Sequence, residues 1–439
     1  MDPRSGSSGA ALAPARTPPR PRAMRGLAAR QGAAFTACVA VMANAQALDF
    51  SGYLRAGPGA SSRAGAARAC YALPGPGLKY RLGNECDFYG EIQLSQELRT
   101  PSASANANAD ADADADADTN AAKGSLPSAA TTRVSLMLNQ WTPATEPDGP
   151  MRVAQFWVES RGWWPGSPQA IAWAGKERGR RGDVYIVDTF FVEMAGVGAG
   201  VKSVPAGPGK AGVAVYTTDT DPARPGVRVN AELVDLPAGA GGDLQLHATW
   251  TRGRFEGGTR GVAFSLRLQQ EDVGGSGLQH RLWLQGARGS AGLEQNFGDL
   301  ARPASAGGWR VVETLAGQSG RWGTQGMLLL AHDGDDAGHA VRMASVGARA
   351  AWTLAPHAKL VGEAGVSWRH ASGAEGARLA KFTFAPTLAA GDDFFSRPEF
   401  RLYVTHARWN RAAGNPTGEA AFDGATAGTS YGAQVELWF

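Results

Sequence analysis

Tyr431-Gly-Ala-Gln-Val-Glu-Leu-Trp-Phe439 closes the chain, and its alternation decides the fold. Tyr431, Ala433, Val435, Leu437 and Phe439 fall on one face of an extended segment, Gln434, Glu436 and Trp438 on the other. The same period of two recurs upstream. In Asp243–Thr251 (DLQLHATWT), Leu244, Leu246, Ala248 and Trp250 alternate with polar residues. Val262, Phe264, Leu266 and Leu268 do so in VAFSLRL, and Leu360, Ala364, Val366 and Trp368 in LVGEAGVSW. Half-apolar strands of this kind, with no convincing helix between them, predict an all-β protein.

A soluble sandwich alternates too, so the choice of a transmembrane antiparallel β-barrel rests on other features. The chain is long for one sandwich, it carries an export segment, and it ends on an aromatic of the apolar face. That last feature resembles the closing strand of outer-membrane barrels, whose outer surface is apolar and whose lumen is polar. Sheet edges cannot stand open in lipid, so such a sheet must close on itself. PAGPGKAG, LPAGAGGD, EDVGGSG and AHDGDDAGH punctuate the strands as turns. Gly 59 and Trp 13 fit a turn-rich all-β chain, and a net charge of +3 is too small to imply a nucleic-acid partner.

Residues 24–47 read as a signal peptide. Arg25 and Arg30 precede the apolar stretch Gly32 to Met42, and Ala45-Gln46-Ala47 supplies the small residues of a cleavage site. The apolar stretch is about half the ~20 residues a spanning helix needs. Residues 1–23 fit no part of such a signal, so translation is expected to start at Met24 and the barrel to occupy 48–439. Removing the signal leaves Cys70 and Cys86, which should pair in an oxidising compartment; two buried free thiols are the alternative. Between residues 101 and 124, aspartates alternate with alanine from Asp110 to Asp118, a turn insertion too polar to repay ordering. It lacks the glycine and terminal glutamate of a calcium loop, and no metal site is expected.

Face assignments single out aromatics on the wet side. With Leu48, Phe50 and Leu54 outward, Tyr53 and Arg55 point inward. With Phe88, Ile92, Leu94 and Leu98 outward, Tyr89 joins Asp87, Glu91, Gln93 and Glu97 inside, and Arg81 shares that parity. Trp438 is a third inward ring. Phe395 shares the parity of Arg397, Glu399 and Arg401. Rings in a polar lumen lose burial unless something compensates, and the apolar faces of pyranose rings would do so while charged neighbours bind the sugar hydroxyls. Packing of these rings beneath an inward-folded loop is the other reading.

LDFSGYLRAG, CYALPGPGLKYRLGNECDFYGEIQLSQEL, WAGKERGRRGDVYIVDTFF, GDDFFSRPEFRLYVTHARW and YGAQVELWF, in this order, resemble the maltoporin family of sugar-selective, 18-stranded trimeric porins. The resemblance covers most of 48–439 and weakens between about 205 and 345. It implies a barrel of that strand number with an inward-folded constriction loop, passive transport of maltose and maltodextrins, a homotrimer in the bacterial outer membrane, and no cofactor. The family's aromatic slide falls on Tyr53, Tyr89, Phe395 and Trp438. Trp141, in LNQWTPATEP, matches a family Trp on a loop that reaches a neighbouring subunit. Trp283, inward by parity, stands near a slide Phe that has no direct counterpart. The polar track maps onto Arg55, Arg81, Glu91, Arg152, Arg181, Asp183 and Asp188, and the constriction tyrosine onto Phe190. Cys70 and Cys86 match a family disulfide. The basic run Lys176, Arg178, Arg180 and Arg181, a solvated loop if read alone, belongs to the segment that narrows the family's pore, where charge decides what passes.

Phe190 lacks a hydroxyl and Phe395 replaces a larger Trp, which leaves the preferred sugar open, sucrose included. A general diffusion porin needs no aromatic file. An enzyme on a barrel needs a positioned nucleophile and base; the Gly-x-Ser-x-Gly string at Gly428 to Gly432 runs into the alternating last strand with no helix after it and so makes no elbow, and no His-Glu-x-x-His helix occurs. Gly207 to Gly212 fits Gly-x-Gly-x-x-Gly but contains Pro208 and leads into alternating VAVY, not a helix. A plugged, adhesive barrel is the third alternative.

Overall fold

The computed structural model describes residues 48–66, 68–99, 130–143, 149–218, 222–239 and 241–439. The signal peptide, the segment before it and the Ala/Asp insertion lie outside the described residues. The first strands are β1 (Asp49–Ala56), β2 (Gly59–Ser61), β3 (Asp87–Arg99), β4 (Thr131–Pro143), β5 (Met151–Arg161), β6 (Ile171–Glu177), β7 (Arg180–Val184), β8 (Thr189–Glu193), β9 (Gly196–Ala206) and β10 (Gly209–Thr217). Then follow β11 (Gly226–Pro237), β12 (Asp243–Gly253), β13 (Arg260–Gln270), β14 (Leu278–Gly289), β15 (Gly307–Ser319) and β16 (Trp322–Gly334). The last are β17 (Ala340–Ala355), β18 (Ala358–Ala371), β19 (Ala377–Ala389), β20 (Glu399–Trp409) and β21 (Ala427–Trp438).

All but β7 and β8 belong to one 19-stranded antiparallel sheet. β1 and β2 are two pieces of one strand, both paired with β21, so the wall has 18 strands, and the β1–β21 pairing closes it. The outward face is the one the alternation identifies. Phe400, Leu402 and Val404 are more than half exposed on β20, while Glu399, Arg401, Tyr403 and Thr405 between them are buried. Among the described strands of the wall, closure leaves no edge unpaired, as a lipid environment demands.

Two connections fold into the barrel because they are apolar where a solvated loop would not be. The hairpin β7–β8, paired from Arg180 with Glu193 to Val184 with Thr189, carries the buried run Val184, Tyr185, Ile186 and Val187. With Phe191 this run packs on Trp283, Val312, Met327 and Leu329, which project inward from β14, β15 and β16. Burial of each such side chain is worth about 1.5–3 kcal/mol. Gly182 lies at φ +66°, and a Cβ there would sit 2.7 Å from the Trp283 ring, so only glycine lets the hairpin approach this wall.

The connection between β2 and β3 is pinned by the Cys70–Cys86 disulfide, Cα–Cα 5.8 Å. Its Tyr80 ring lies against β17 and β18, where a Cβ on Gly365 would come within 2.1 Å of it. The Leu82 amide donates to Glu363 at 2.8 Å, and Arg349 grips the same carboxylate at 2.6 and 2.8 Å. The Arg81 amide donates to the Ile186 carbonyl at 3.0 Å, which ties the two inward segments together. The sheet register then sets what faces the remaining space. Arg55 stands opposite Glu436 on one side and Tyr89 on the other, Tyr53 opposite Trp438 and Glu91, and Tyr89 opposite Trp141.

Candidate functional site

Between the two inward segments and the wall of β1, β3, β4 and β21 lies a cavity of about 820 Å³. Tyr53, Tyr89, Trp141 and Trp438 line it together with Arg55, Arg81, Glu91, Arg178, Asp183, Asp188 and Phe190. The Tyr53 and Tyr89 ring centroids are 5.9 Å apart. Period-two alternation turns these rings inward, and antiparallel pairing of adjacent strands sets them side by side.

The charged side chains are cross-linked. The Arg55 guanidinium donates to Glu85 at 2.7 Å, Asp87 at 2.7 Å and Asp188 at 2.8 Å. Arg81 donates to Glu85 at 2.9 Å and to the Tyr53 hydroxyl at 2.5 Å, and pairs with Glu436 at 3.0 Å. Tyr53 donates to Glu436 at 2.8 Å and Trp141 to Asp87 at 2.9 Å. Arg178 pairs with Glu91 at 2.9 Å, and Glu91 also accepts from the Tyr89 hydroxyl. Fixed in this way, the arginines and carboxylates present donors and acceptors that do not collapse onto a solute.

Enclosure in the lumen would raise the Asp188 carboxyl, but Arg81, Arg55 and Lys79 outweigh it and hold that group well below the usual carboxylate range. Asp183 lacks such direct pairing. Enclosure pushes it up to about 6, with Asp188 adding to the rise against the pull of Arg81. Each of the two aspartates therefore has its own response to pH.

Four other sequence-predicted residues fall outside the cavity, and Trp141 lines it from a position other than the expected one. Phe395 is not among the residues lining the cavity; it is 43% exposed and packs edge-on against Tyr185 at 5.8 Å. Trp141 lies at the end of β4, not in a loop, and faces the lumen of its own chain. Arg152 is exposed on β5, opposite Asn139, and does not line the cavity. Arg181 points behind the hairpin toward Glu232 at 3.6 Å, because successive residues of β7 face opposite sides. Its neighbours Arg178 and Arg180 are the ones that face the cavity, Arg180 lying 4.5 Å over the Phe190 ring. Trp283 does point inward, yet it is fully buried beneath the hairpin against Phe191.

Tyr185 is the residue that sequence reasoning missed. Its ring meets Phe394, Phe395 and Trp438 edge-on, and the guanidinium groups of Arg81, Arg349 and Arg397 lie 4.7 to 5.1 Å from its centroid. Its hydroxyl accepts from Arg401 at 3.0 Å and donates to Glu436. A lone aromatic in the apolar run VYIV, flanked by Asp183 and Asp188, was the available signal.

Comparison with known proteins adds the following likenesses. Residues 48–439 match the family described as LamB porin. The chain is 28% identical over 459 aligned positions to Maltoporin 1 of Klebsiella pneumoniae, covering 95% of this chain and 99% of that protein. It is 26% identical to Maltoporin 2 of Yersinia pestis, covering 89% and 94%. Among solved structures, it overlaps OccAB1 of Acinetobacter baumannii at 9% identity and a TM-score of 0.48, covering 89% and 96%. OprD of Pseudomonas aeruginosa overlaps at 10% identity and a TM-score of 0.44, covering 90% and 97%.

Proposed function

The chain belongs to the LamB porin family over residues 48–439, and on that footing we propose that it is a passive, sugar-selective diffusion channel of the outer membrane. The observation that carries this reading is the single cavity in which Tyr53, Tyr89, Trp141 and Trp438 share space with the Arg55–Arg81–Glu91–Asp188 network. A pyranose ring has apolar C–H faces and a polar equator. Rings on one side and paired charges on the other match both at once, and a chain of such units slides from one aromatic to the next with little change in its contacts.

Linear glucose oligomers, maltose and its homologues, are the proposed substrates, in keeping with the relatives named maltoporin. The hydroxyl missing at Phe190 and the displaced Phe395 relax the fit to any one sugar. Sucrose is therefore a competing solute. A homotrimer is part of the same proposal. In the charge network, Glu85, Asp87, Glu91 and Glu436 are each held by an arginine, an arrangement suited to binding sugar hydroxyls.

Conductance of the purified protein in a planar bilayer, titrated with maltose, maltotriose, sucrose and a longer maltodextrin, tests the reading. Closure that saturates and strengthens with chain length is the expected result. Ion flow indifferent to all four sugars would replace the reading with a general diffusion pore.

A further inference from the structure

The outward face of β15 to β18, at the end of the barrel where the long inward connections leave the wall, carries a row of polar and aromatic side chains that transport through the lumen does not use. Trp309 stands opposite His332, His332 opposite Arg342, and Arg342 opposite His370, so the row crosses four adjacent strands. Adjacent strands lie about 4.8 Å apart, which puts the two histidines about 10 Å apart with the guanidinium between them. Two residues further along the strands, Leu330, Ala344, Trp368 and Arg378 form the next row. Leu328, Val346 and Val366 follow, giving way to bare apolar wall.

Both tryptophans, both histidines, Arg342, Leu330 and Ala344 line a groove of about 570 Å³ that has no carboxylate in its lining. Arg342 and His370 are exposed, and neither is in an ion pair with a described residue. A guanidinium on the outer wall of a barrel faces lipid or its headgroups. There an anion that brings its own apolar chains satisfies both halves of the surface.

We propose that Arg342, flanked by His332 and His370 and bracketed by Trp309 and Trp368, binds the phosphate of a membrane lipid whose chains run down Leu330, Leu328 and Val346. Guanidinium offers phosphate two parallel hydrogen bonds, imidazole N–H groups add donors on either side, and indole rings settle at the boundary between headgroups and chains. A second copy of this chain presenting the same face would set Arg342 against Arg342, which the charge disfavours.

The test uses the whole protein in neutral detergent micelles, with dioleoyl phosphatidic acid and dioleoylglycerol as probes, and native mass spectrometry to count retained lipid. The two probes share their chains and differ in the phosphate. The wild type should retain phosphatidic acid about tenfold better, and Arg342→Gln should lose most of that preference, since one charge-assisted phosphate contact accounts for a factor of this order. Arg252→Gln, on the outward face of β12, should keep it. Bilayer conductance of each variant reports that the barrel has formed, and His332→Gln/His370→Gln offers the same comparison without touching Arg342. Equal retention of the two lipids by the wild type, or undiminished preference in both the arginine and the histidine variants, would overturn the proposal. The readout involves no sugar, so it fails or succeeds independently of the transport reading.

Discussion

Tyr185, in the inward hairpin, donates its hydroxyl hydrogen to Glu436 on the closing strand, 251 positions away in sequence. The contact joins the inward hairpin to the strand that completes the wall. Glu436 does not depend on it alone, because Arg81, Arg397 and Arg401 reach the same carboxylate at 3.0, 3.2 and 2.6 Å. Tyr185→Phe should therefore leave ion conductance near wild type. Tyr185→Ala removes the ring on which Phe395 and Trp438 pack and should raise single-channel conductance about twofold, as expected of a widened constriction. Unchanged conductance in the alanine variant would show that the narrowing lies elsewhere.

Trp438 and Tyr89 make a complementary case on the sugar side. Each presents a ring to the cavity, and loss of one aromatic contact costs about 0.5–1.5 kcal/mol. Trp438→Ala or Tyr89→Ala should raise the sugar concentration that half-closes the channel by about threefold to tenfold. Leu402→Ala, on the outward face, should not shift it. A uniform effect of all three would mean that folding, not stacking, had been disturbed.

The faces of Tyr53, Tyr89 and Trp438 were legible because strand geometry has a period of two and the apolar set fixes its phase. Arg55 and Glu91 followed from the same phase. Legibility stopped where the chain leaves the wall. Within the basic run the family resemblance points to Arg181, whereas Arg178 and Arg180 face the cavity, since the tilt of a hairpin inside a barrel has no signature in spacing. Trp283 shows the second limit: parity gives direction, but only the packed hairpin shows that the ring is covered. Tyr185 shows the third, a polar hub whose neighbours arrive from β17, β20 and β21 and whose local sequence reads as plain core.

Asp183 gives the lumen a titratable charge in an accessible range. Its carboxyl is pushed up to about 6, whereas Asp188 is held ionised far below that. Above pH 6 both are anionic; as the pH falls through 6, Asp183 binds a proton and one negative charge leaves the constriction. The cation-to-anion permeability ratio, read from reversal potentials in a salt gradient, should therefore fall between pH 7.5 and pH 5 with a midpoint near 6. Asp183→Asn should flatten that profile. A midpoint unchanged in the asparagine variant would assign the titration to another group.

Glu363 holds the first inward connection against the wall. It is buried, and it accepts from Arg349 at 2.6 and 2.8 Å, from the Leu82 amide at 2.8 Å and from Lys381 at 3.4 Å. Removing the carboxylate strands two cations in a dry place, a loss of about 3–5 kcal/mol when one partner of a buried pair is deleted. The wall itself keeps its backbone ladder on both sides of β18, so the loss should fall on the connection instead of the barrel. Glu363→Ala should expose Lys79 and Arg81 to trypsin while the β-sheet signal in circular dichroism and the heat-dependent gel mobility of a folded barrel persist. Glu363→Leu combined with Arg349→Met and Lys381→Met removes every stranded charge and should restore much of the protection, since a buried ionic cluster can be exchanged for apolar packing at little net cost. If the single variant resists trypsin as well as the wild type, the carboxylate is not the anchor, and the Tyr80 ring seated against Gly365 holds the connection by packing alone.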